Sequence, residues 1–474
     1  MRAAAAALAA IVLLASACGS QLTDEERASR LQRVTAAGSN QQTGTGTVPG
    51  ISGPSATEGP SATTGPAGPS GPSGSDDGNG SAPSGPSGPA ASAGCAKATK
   101  ATDTGVTPSK VTVATLADIS GIQPGLFESA HQAARAATAY INSTGGICGR
   151  QIDPMLLDSK TDSGGNRAAM LDACDKAFAV VGSMSAFDDG SGAPGQACGI
   201  PDMSAIVVNA TKYKTNNTYP ISPAASGHIS TSAPAYIRKT HPEAIKKAAL
   251  LYLNQAVTRN NAITRQRAYE KVGFEYVYVT EVQALEANYT RFVQEMRNRG
   301  VQYVNMVADY QNIVRLQKSF RQQNFVPEVR DWDSVAYDGN YLQEKDVVEG
   351  SLVFINTGMF EESASNAEMK LYMEWLQRAS PGAVPDYFGI YAWSAFRLFQ
   401  KLATDIGPEL TREKLLAALK ATKEWGANGM HAPHKIGAKL LSTCNIYLVV
   451  KGGKFERLHP ASGFDCSGNL IKVA

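Results

Sequence analysis

The chain lacks most of the short patterns that announce a chemistry. It has no Cys-x-x-Cys pair, which removes zinc-ribbon and thiol-redox readings. G-x-x-x-x-G-K-[ST], G-x-S-x-G and H-E-x-x-H are also missing, and with them the commonest sequence-visible nucleotide, serine-hydrolase and zinc-protease signatures. Charge is sparse and balanced: Asp, Glu, Lys and Arg make up 18% of the residues and the formal net charge is +2. With no long basic run and few aromatics near Lys or Arg, nucleic acid is not an expected partner. The only long apolar run at the start, Ala3 to Leu14, is too short to span a bilayer comfortably. What is present is an apolar fraction of 43% over 474 residues, enough for two or three folded domains.

Arg2, the apolar run and the small residues before Cys18 read as a secretory signal over residues 1–17. Leu-Leu-Ala-Ser-Ala-Cys18-Gly-Ser resembles a bacterial lipoprotein processing site, with Ala15 where Leu is usual. The resemblance implies that Cys18 becomes an acylated N-terminus, anchoring the protein to the outer face of the cytoplasmic membrane. Cysteine arithmetic agrees: of 7 cysteines, setting Cys18 aside leaves an even set, Cys95, Cys148, Cys174, Cys198, Cys444 and Cys466, suited to disulfides in an oxidising compartment. Cys444 and Cys466 bracket one terminal strand segment, and Cys174 and Cys198 sit near the ends of successive helices, which would leave Cys95 with Cys148; the connectivity stays open. Residues 18–40 form the anchored N-terminus, where Thr23 and Glu26 could cap a short helix. Residues 41–94 are rich in Gly, Pro and Ser and read as a flexible spacer, the whole tether of roughly 75 residues reaching on the order of 50 Å.

From Gly105 the pattern is that of a folded body. Val111 to Leu116 alternates as a strand, Phe127 to Tyr140 carries apolar and small residues at helical spacing, and Gln151 to Leu157 is extended again; strand, helix, strand implies a parallel sheet. Strands are expected at 177–182 and 201–208, with helices at 166–176 and 192–197, and an irregular crossing over 209–223. A second set follows: helices over 231–240, 259–272, 289–299 and 311–323, and strands over 248–253, 274–279, 301–308 and near Val329. After one more extended crossing at 349–355 come helices at 367–378, 387–405 and 411–421, then strands at 445–450 and 454–458. The economical arrangement returns the late helices to the first lobe and sends the last strands to the second.

Other motifs favour bland readings. Gly190-Ser-Gly-Ala-Pro-Gly195 matches G-x-G-x-x-G but holds Pro194 in the turn and lacks the acidic residue expected further on. His431-Ala-Pro-His434 could offer two metal ligands, but Pro433 makes it a bent loop with no third ligand suggested nearby, and a surface loop is the expectation. The N-x-[ST] sequons at Asn142, Asn209, Asn216 and Asn288 are coincidental behind a bacterial signal. Asp331-Trp-Asp-Ser-Val-Ala-Tyr-Asp338 reads either as a site for a cationic partner or as a solvated loop.

A run of passages in order carries a family resemblance: "YINSTGGICGRQIDPMLLDSKTD", "KAFAVVG", "CGIP", "VQEMRNRGVQYV", "VAYDGNYL", "EGSLV", "PDYFGIYAWSAFRLFQKLA", "LTREKLLAALK" and "YLVVKGGKFERL". Over about 105–472 the chain resembles the leucine/isoleucine/valine-binding type of periplasmic solute-binding protein of branched-chain amino-acid ABC transporters. The resemblance implies an α/β protein of two Rossmann-like lobes joined by a three-crossing hinge, with the first lobe over 105–226 and 355–443 and the second over 227–354 and 444–474. It implies a non-enzymatic monomer with no cofactor, which traps a small solute between its lobes and passes it to a permease; the alternative is a tethered sensor of the same fold. Binding groups are expected on loops at the carboxyl ends of strands: Ser120, Ser183, Ser185, Ser204 and Thr211 in the first lobe, and Asn254, Asp309, Asp333 and Tyr337 in the second. By the resemblance Ser183 or Ser185 would hold a solute carboxylate and Asp309 or Asp333 an ammonium. The chain departs from the family pattern at "DISGIQPG", at Val257 where a covering Tyr is frequent, and at "VVNATKYKTNN" in place of an S-x-x-T turn.

Overall fold

A computed structural model describes residues 95–473. The signal segment, Cys18, the expected helix after it and the 41–94 spacer lie outside the described residues. Strand β1 (Lys110–Ala117) is buried on both faces, as a near-continuous apolar run should be in a parallel sheet covered by helices. It is followed by α1 (Glu128–Ser143), β2 (Gln151–Asp158), α2 (Ser163–Lys176), β3 (Ala179–Val181), α3 (Asp189–Cys198) and β4 (Asp202–Met203). These four strands form one parallel sheet in the order β2-β1-β3-β4.

The expected strand over 201–208 is shorter than its apolar run. Only Asp202–Met203 joins the sheet; beyond it the backbone bonds to the returning segment 217–222 instead, with Ile221 N–H donating to Ser204 O and Val207 N–H to Ser222 O. Burial without a strand results. The stretch read as irregular also holds a short helix, α4 (Ala210–Tyr213).

After β5 (His228–Ser230) and α5 (Ser232–Thr240) the second lobe is built from β6 (Ala248–Leu253), α6 (Ala256–Glu270), β7 (Tyr276–Val282), α7 (Thr290–Asn298), β8 (Tyr303–Val307), α8 (Tyr310–Gln322), β9 (Val329–Trp332), α9 (Gly339–Leu342) and β10 (Leu352–Ile355). The chain then returns to the first lobe for α10 (Ala367–Ala379), α11 (Tyr387–Ile406) and α12 (Arg412–Ala421), and ends with β11 (Ile446–Lys451), β12 (Lys454–His459) and β13 (Leu470–Lys472). The second sheet has seven strands in the order β12-β11-β10-β9-β8-β6-β7, parallel from β7 to β10 and antiparallel at β11 and β12. β13 does not join it: it pairs with β5 in a separate two-stranded sheet.

Small residues decide how the late helices dock. Ala130, Ala133, Ala134 and Ala137 line one buried stripe of α1, so α10 and α11 approach closely. Their Tyr372, Trp393, Phe396 and Phe399 are fully buried in the first-lobe core, each such side chain contributing roughly 1.5–3 kcal/mol. Disulfides join Cys95 to Cys148, Cys174 to Cys198 and Cys444 to Cys466. Arg412 works beside the second of these: its guanidinium donates to the carbonyls of Cys174, Ala177, Phe178 and Cys198. It thereby satisfies orphan carbonyls where α2 and α3 end. Arg412→Ala is expected to lower the unfolding free energy by about 3 kcal/mol, read as a fall in urea midpoint at constant slope, with Arg412→Lys recovering only part.

Candidate functional site

The two sheets turn carboxyl ends of their strands toward a common junction. Gln123, in the loop after β1, donates from Nε2 to Asp309 Oδ2 at 3.1 Å, in the loop after β8. Nearby, Asp338 and Asp386 form an antiparallel backbone bridge between the second lobe and the start of α11. At Gly339 the lobes are in close contact, and a Cβ there would lie 2.6 Å from Val384 Cγ1.

Helix starts supply much of this junction. Asp309 caps α8 by accepting from Asn312 N at 2.9 Å, Asp338 caps α9 by accepting from Asn340 N at 2.7 Å, and Asp386 caps α11 by accepting from Gly389 N at 2.7 Å. Short acidic side chains are favoured at such positions because they satisfy otherwise orphaned N–H groups. Burial pushes the Asp338 carboxyl up to about 6 against the hydrogen bonds from Asn340. Burial and then the charge of Asp338 push Asp386 up to about 7. The Tyr310 phenol, between these groups, is raised to about 12 by burial and by Asp338, Asp309 and Asp386.

The serines expected in the first lobe have mixed placements. Ser120 is exposed and donates to Asp158 Oδ2 at 2.5 Å. Burial would raise Asp158, but hydrogen bonds from Ser120, Lys160 and Ile119 outweigh it and hold the carboxyl at about 2, so this loop is pinned by a charged acceptor. Ser183 and Ser185 are buried: Ser183 accepts from Leu116 N at 2.8 Å, and Ser185 donates to Asp118 Oδ1 at 2.8 Å while accepting from Phe187 N at 3.1 Å. Thr211 is exposed on α4.

Two expected residues lie inside the lobes instead. Ser204 is 0% exposed, donating to Asp202 at 2.6 Å and accepting from Lys212 Nζ at 3.0 Å. The departure "VVNATKYKTNN" thus brings in a buried cation, Lys212, paired with Asp202 at 2.9 Å. Tyr337 is likewise 0% exposed; its hydroxyl donates to Glu361 Oε2 at 2.7 Å and accepts from Phe360 N at 2.6 Å, and its ring stacks on Phe360. Both hydroxyls are buried and already hydrogen-bonded, that of Ser204 to Asp202 and Lys212 and that of Tyr337 to Phe360 and Glu361.

Asn254 is exposed after β6 and donates to Gln283 at 2.8 Å. Asp333 is half-buried and already paired, accepting from Arg265 Nη2 at 2.8 Å. The stretch around it corrects the solvated-loop reading given to it. Asp331 is fully buried rather than solvated, accepts from the Tyr303 hydroxyl at 2.7 Å and is pushed up to about 7 by burial. The cation that meets Asp333 belongs to the chain itself.

The expected surface loop at His431 and His434 is also corrected, because both rings are buried. His431 Nδ1 faces Ala432 O at 2.8 Å, so its Nε2 accepts from Ser394 Oγ at 2.8 Å, which in turn accepts from Trp425 Nε1. Ser442 N–H donates to His434 Nδ1, so His434 Nε2 donates to the Tyr391 hydroxyl at 3.1 Å, and Tyr391 donates to Asn356 Oδ1 at 2.8 Å. Asn356 also accepts from the Tyr387 hydroxyl at 3.2 Å. Buried tautomers fixed by their partners in this way are structural. Gln123, Tyr310, Asn356, Asp386 and Tyr387 were absent from the expected site; the Pro-Asp before the apolar helix run at Tyr387 is a capping signal that could have found Asp386.

Titration of these buried groups has opposite signs. Burial lowers His431 from 6.5 to about 4, so the unfolded chain takes up this proton first and stability falls as pH drops from 6.5 toward 4. Asp386, raised from 3.8 to about 7, contributes stability fully present below 3.8 and lost as pH rises through 7. Asp386→Asn keeps the cap, so the variant is expected to lose less stability than the parent between pH 4.5 and 8, measured by urea unfolding at several pH values.

A family model described as "Periplasmic binding protein" matches residues 110–449. No curated protein matches the chain. Among solved structures, a fatty acid ABC transporter substrate-binding protein from Thermomonospora curvata is similar at 15% identity, covering 78% of this chain and 95% of its own, with a TM-score of 0.66. A branched-chain amino acid transporter substrate-binding protein from Streptococcus pneumoniae in complex with isoleucine is similar at 14% identity, with 74% and 100% coverage and a TM-score of 0.63. A solute-binding protein from R. palustris in complex with benzoate is similar at 16% identity, with 76% and 97% coverage and a TM-score of 0.64.

Proposed function

The chain belongs to the periplasmic binding protein family, whose members are extracytoplasmic, non-enzymatic solute-binding components, and we propose that it captures a small amino-acid-like solute between its lobes for an ABC transporter permease. The observation that carries this reading is the Gln123–Asp309 hydrogen bond of 3.1 Å, a direct contact between loops at the carboxyl ends of strands in both sheets. A solute seated there touches both lobes, and only differential contact of that kind can favour closure. Two similar solved structures hold isoleucine and benzoate.

Asp309 is the better candidate than Asp333 for an ammonium group, because Asp333 is already neutralised by Arg265. Asp338 and Asp386 add negative potential on either side of the same junction. Ser183 and Ser185, with Ser120 and Thr211, are the first-lobe candidates for the carboxylate end, and Asn254 is a further second-lobe candidate. Cys18 would carry the lipid that keeps the protein at the membrane.

Purified protein, unfolded and refolded to strip carried-over ligand, should respond to one class in a panel of amino acids, amines, short fatty acids and aromatic acids. A true ligand raises stability by about 2.7 kcal/mol at 100 times its Kd, read by thermal shift and calorimetry. Asp309→Ser retains a capping hydroxyl and should weaken an amine-bearing ligand roughly 30-fold or more; unchanged affinity would discard Asp309 as the ammonium partner, and silence across the panel would discard capture. Cys18→Ser should release the protein from the membrane fraction into the medium.

A further inference from the structure

The hinge contains a segment that the three-crossing expectation does not include, the chain's own C-terminal stretch. β13 lies antiparallel to β5, with Leu470 opposite Ser230, Ile471 opposite Ile229 and Lys472 opposite His228. The pairing is extended by Thr231 N–H to Asn469 O at 2.9 Å and Val473 N–H to Gly227 O at 3.0 Å. Farther back, Asn445 and Asp465 exchange backbone hydrogen bonds of 2.9 Å in both directions. Cys466, next in the chain, is disulfide-bonded to Cys444.

This stretch holds two crossings at once. The crossing at 227–231 and the crossing at 443–445 are also bonded to each other, through the Ser230 and Ser232 hydroxyls, which donate to Thr443 O at 2.7 and 2.8 Å. Asn445 Nδ2 donates to Ser232 Oγ. The fit is close: a Cβ at Gly468 would lie 2.3 Å from Ser232 N. Both ends of the stretch are rooted in the second lobe, Phe464 against the core that contains Trp332 and Leu448, and Val473 against the cluster of Ile237 and Tyr447.

A two-stranded sheet is marginal alone, and chain ends fray unless tied. We propose that residues 465–473 are a clasp on the hinge, with Cys444–Cys466 as its covalent lock. The clasp fixes the first and third crossings against each other on the second-lobe side. Closure therefore bends the first-lobe side of those crossings and the segment around Asn356, and the closed arrangement with Gln123 on Asp309 is favoured. This goes beyond solute capture and can be tested without any ligand.

The test is amide hydrogen exchange and small-angle scattering on the full chain and on Cys444→Ser/Cys466→Ser. Exchange at Thr231, Asn445, Asp465 and Val473 should rise about tenfold or more while β1 and β8 amides keep their protection, and the radius of gyration should increase as the lobes open. Gly468→Val, with the disulfide intact, should reproduce the local rise at Thr231 and Val473. Cys95→Ser/Cys148→Ser, which removes a disulfide remote from the hinge, should not. Unchanged hinge exchange in the lock variant, a rise matched by β1 and β8, a rise matched by the remote variant, or an unchanged radius of gyration would each overturn the proposal.

Discussion

Two hydroxyls meeting one carbonyl, Ser230 and Ser232 on Thr443 O, mark the constraint on which the rest of the molecule depends. Extended segments that pass between sheets cannot satisfy their own backbone groups, and buried groups left unpaired cost free energy comparable to a lost hydrogen bond. The crossings answer this by bonding to each other and to the C-terminal stretch. Because they are short and mutually bonded, the lobes lie side by side, and loops at the ends of β1 and β8 come within a hydrogen bond of one another.

Charge is distributed with the same logic. Inside the lobes, ionic groups are neutralised: Lys212 by Asp202 at 2.9 Å and Arg265 by Asp333 at 2.8 Å. Breaking such buried pairs would strand a charge in a medium that solvates it poorly. At the junction, Asp338 and Asp386 approach from opposite lobes and are both raised by burial. Bringing like charges together out of water opposes closure, and a proton or a solute ammonium relieves it. The junction is thus where the charge of these carboxyls and the position of the lobes are energetically linked.

Much of the fold was legible because its elements are long and periodic. The strand Ala248–Leu253 and the helices starting at Ala367 and Tyr387 fall where apolar spacing puts them, since burial of one face or stripe is written locally. The strand expected over 201–208 illustrates the limit. Its apolar run signals burial correctly, but burial does not specify which backbone partner is used, and residues 217–222 took that place for most of it. The pairing of β13 with β5 was invisible for the same reason, as its partner lies more than two hundred residues away.

The candidate site divides along a similar line. By itself the sequence determined the alternation of strand and helix, the capping carboxylates and the loops at strand ends where binding groups gather. Only the tertiary structure decided which side chains on those loops remain available. Ser204 and Tyr337 stand at strand ends as Ser120 and Asp309 do, yet both are fully buried and their hydroxyls are consumed by Asp202, Lys212 and Glu361. His431 and His434 went the same way, into the core beneath Asn356. A hydrogen-bonding group is spent or free according to what distant segments bring within about 3 Å of it, and that distance is set by packing, on which local sequence is silent.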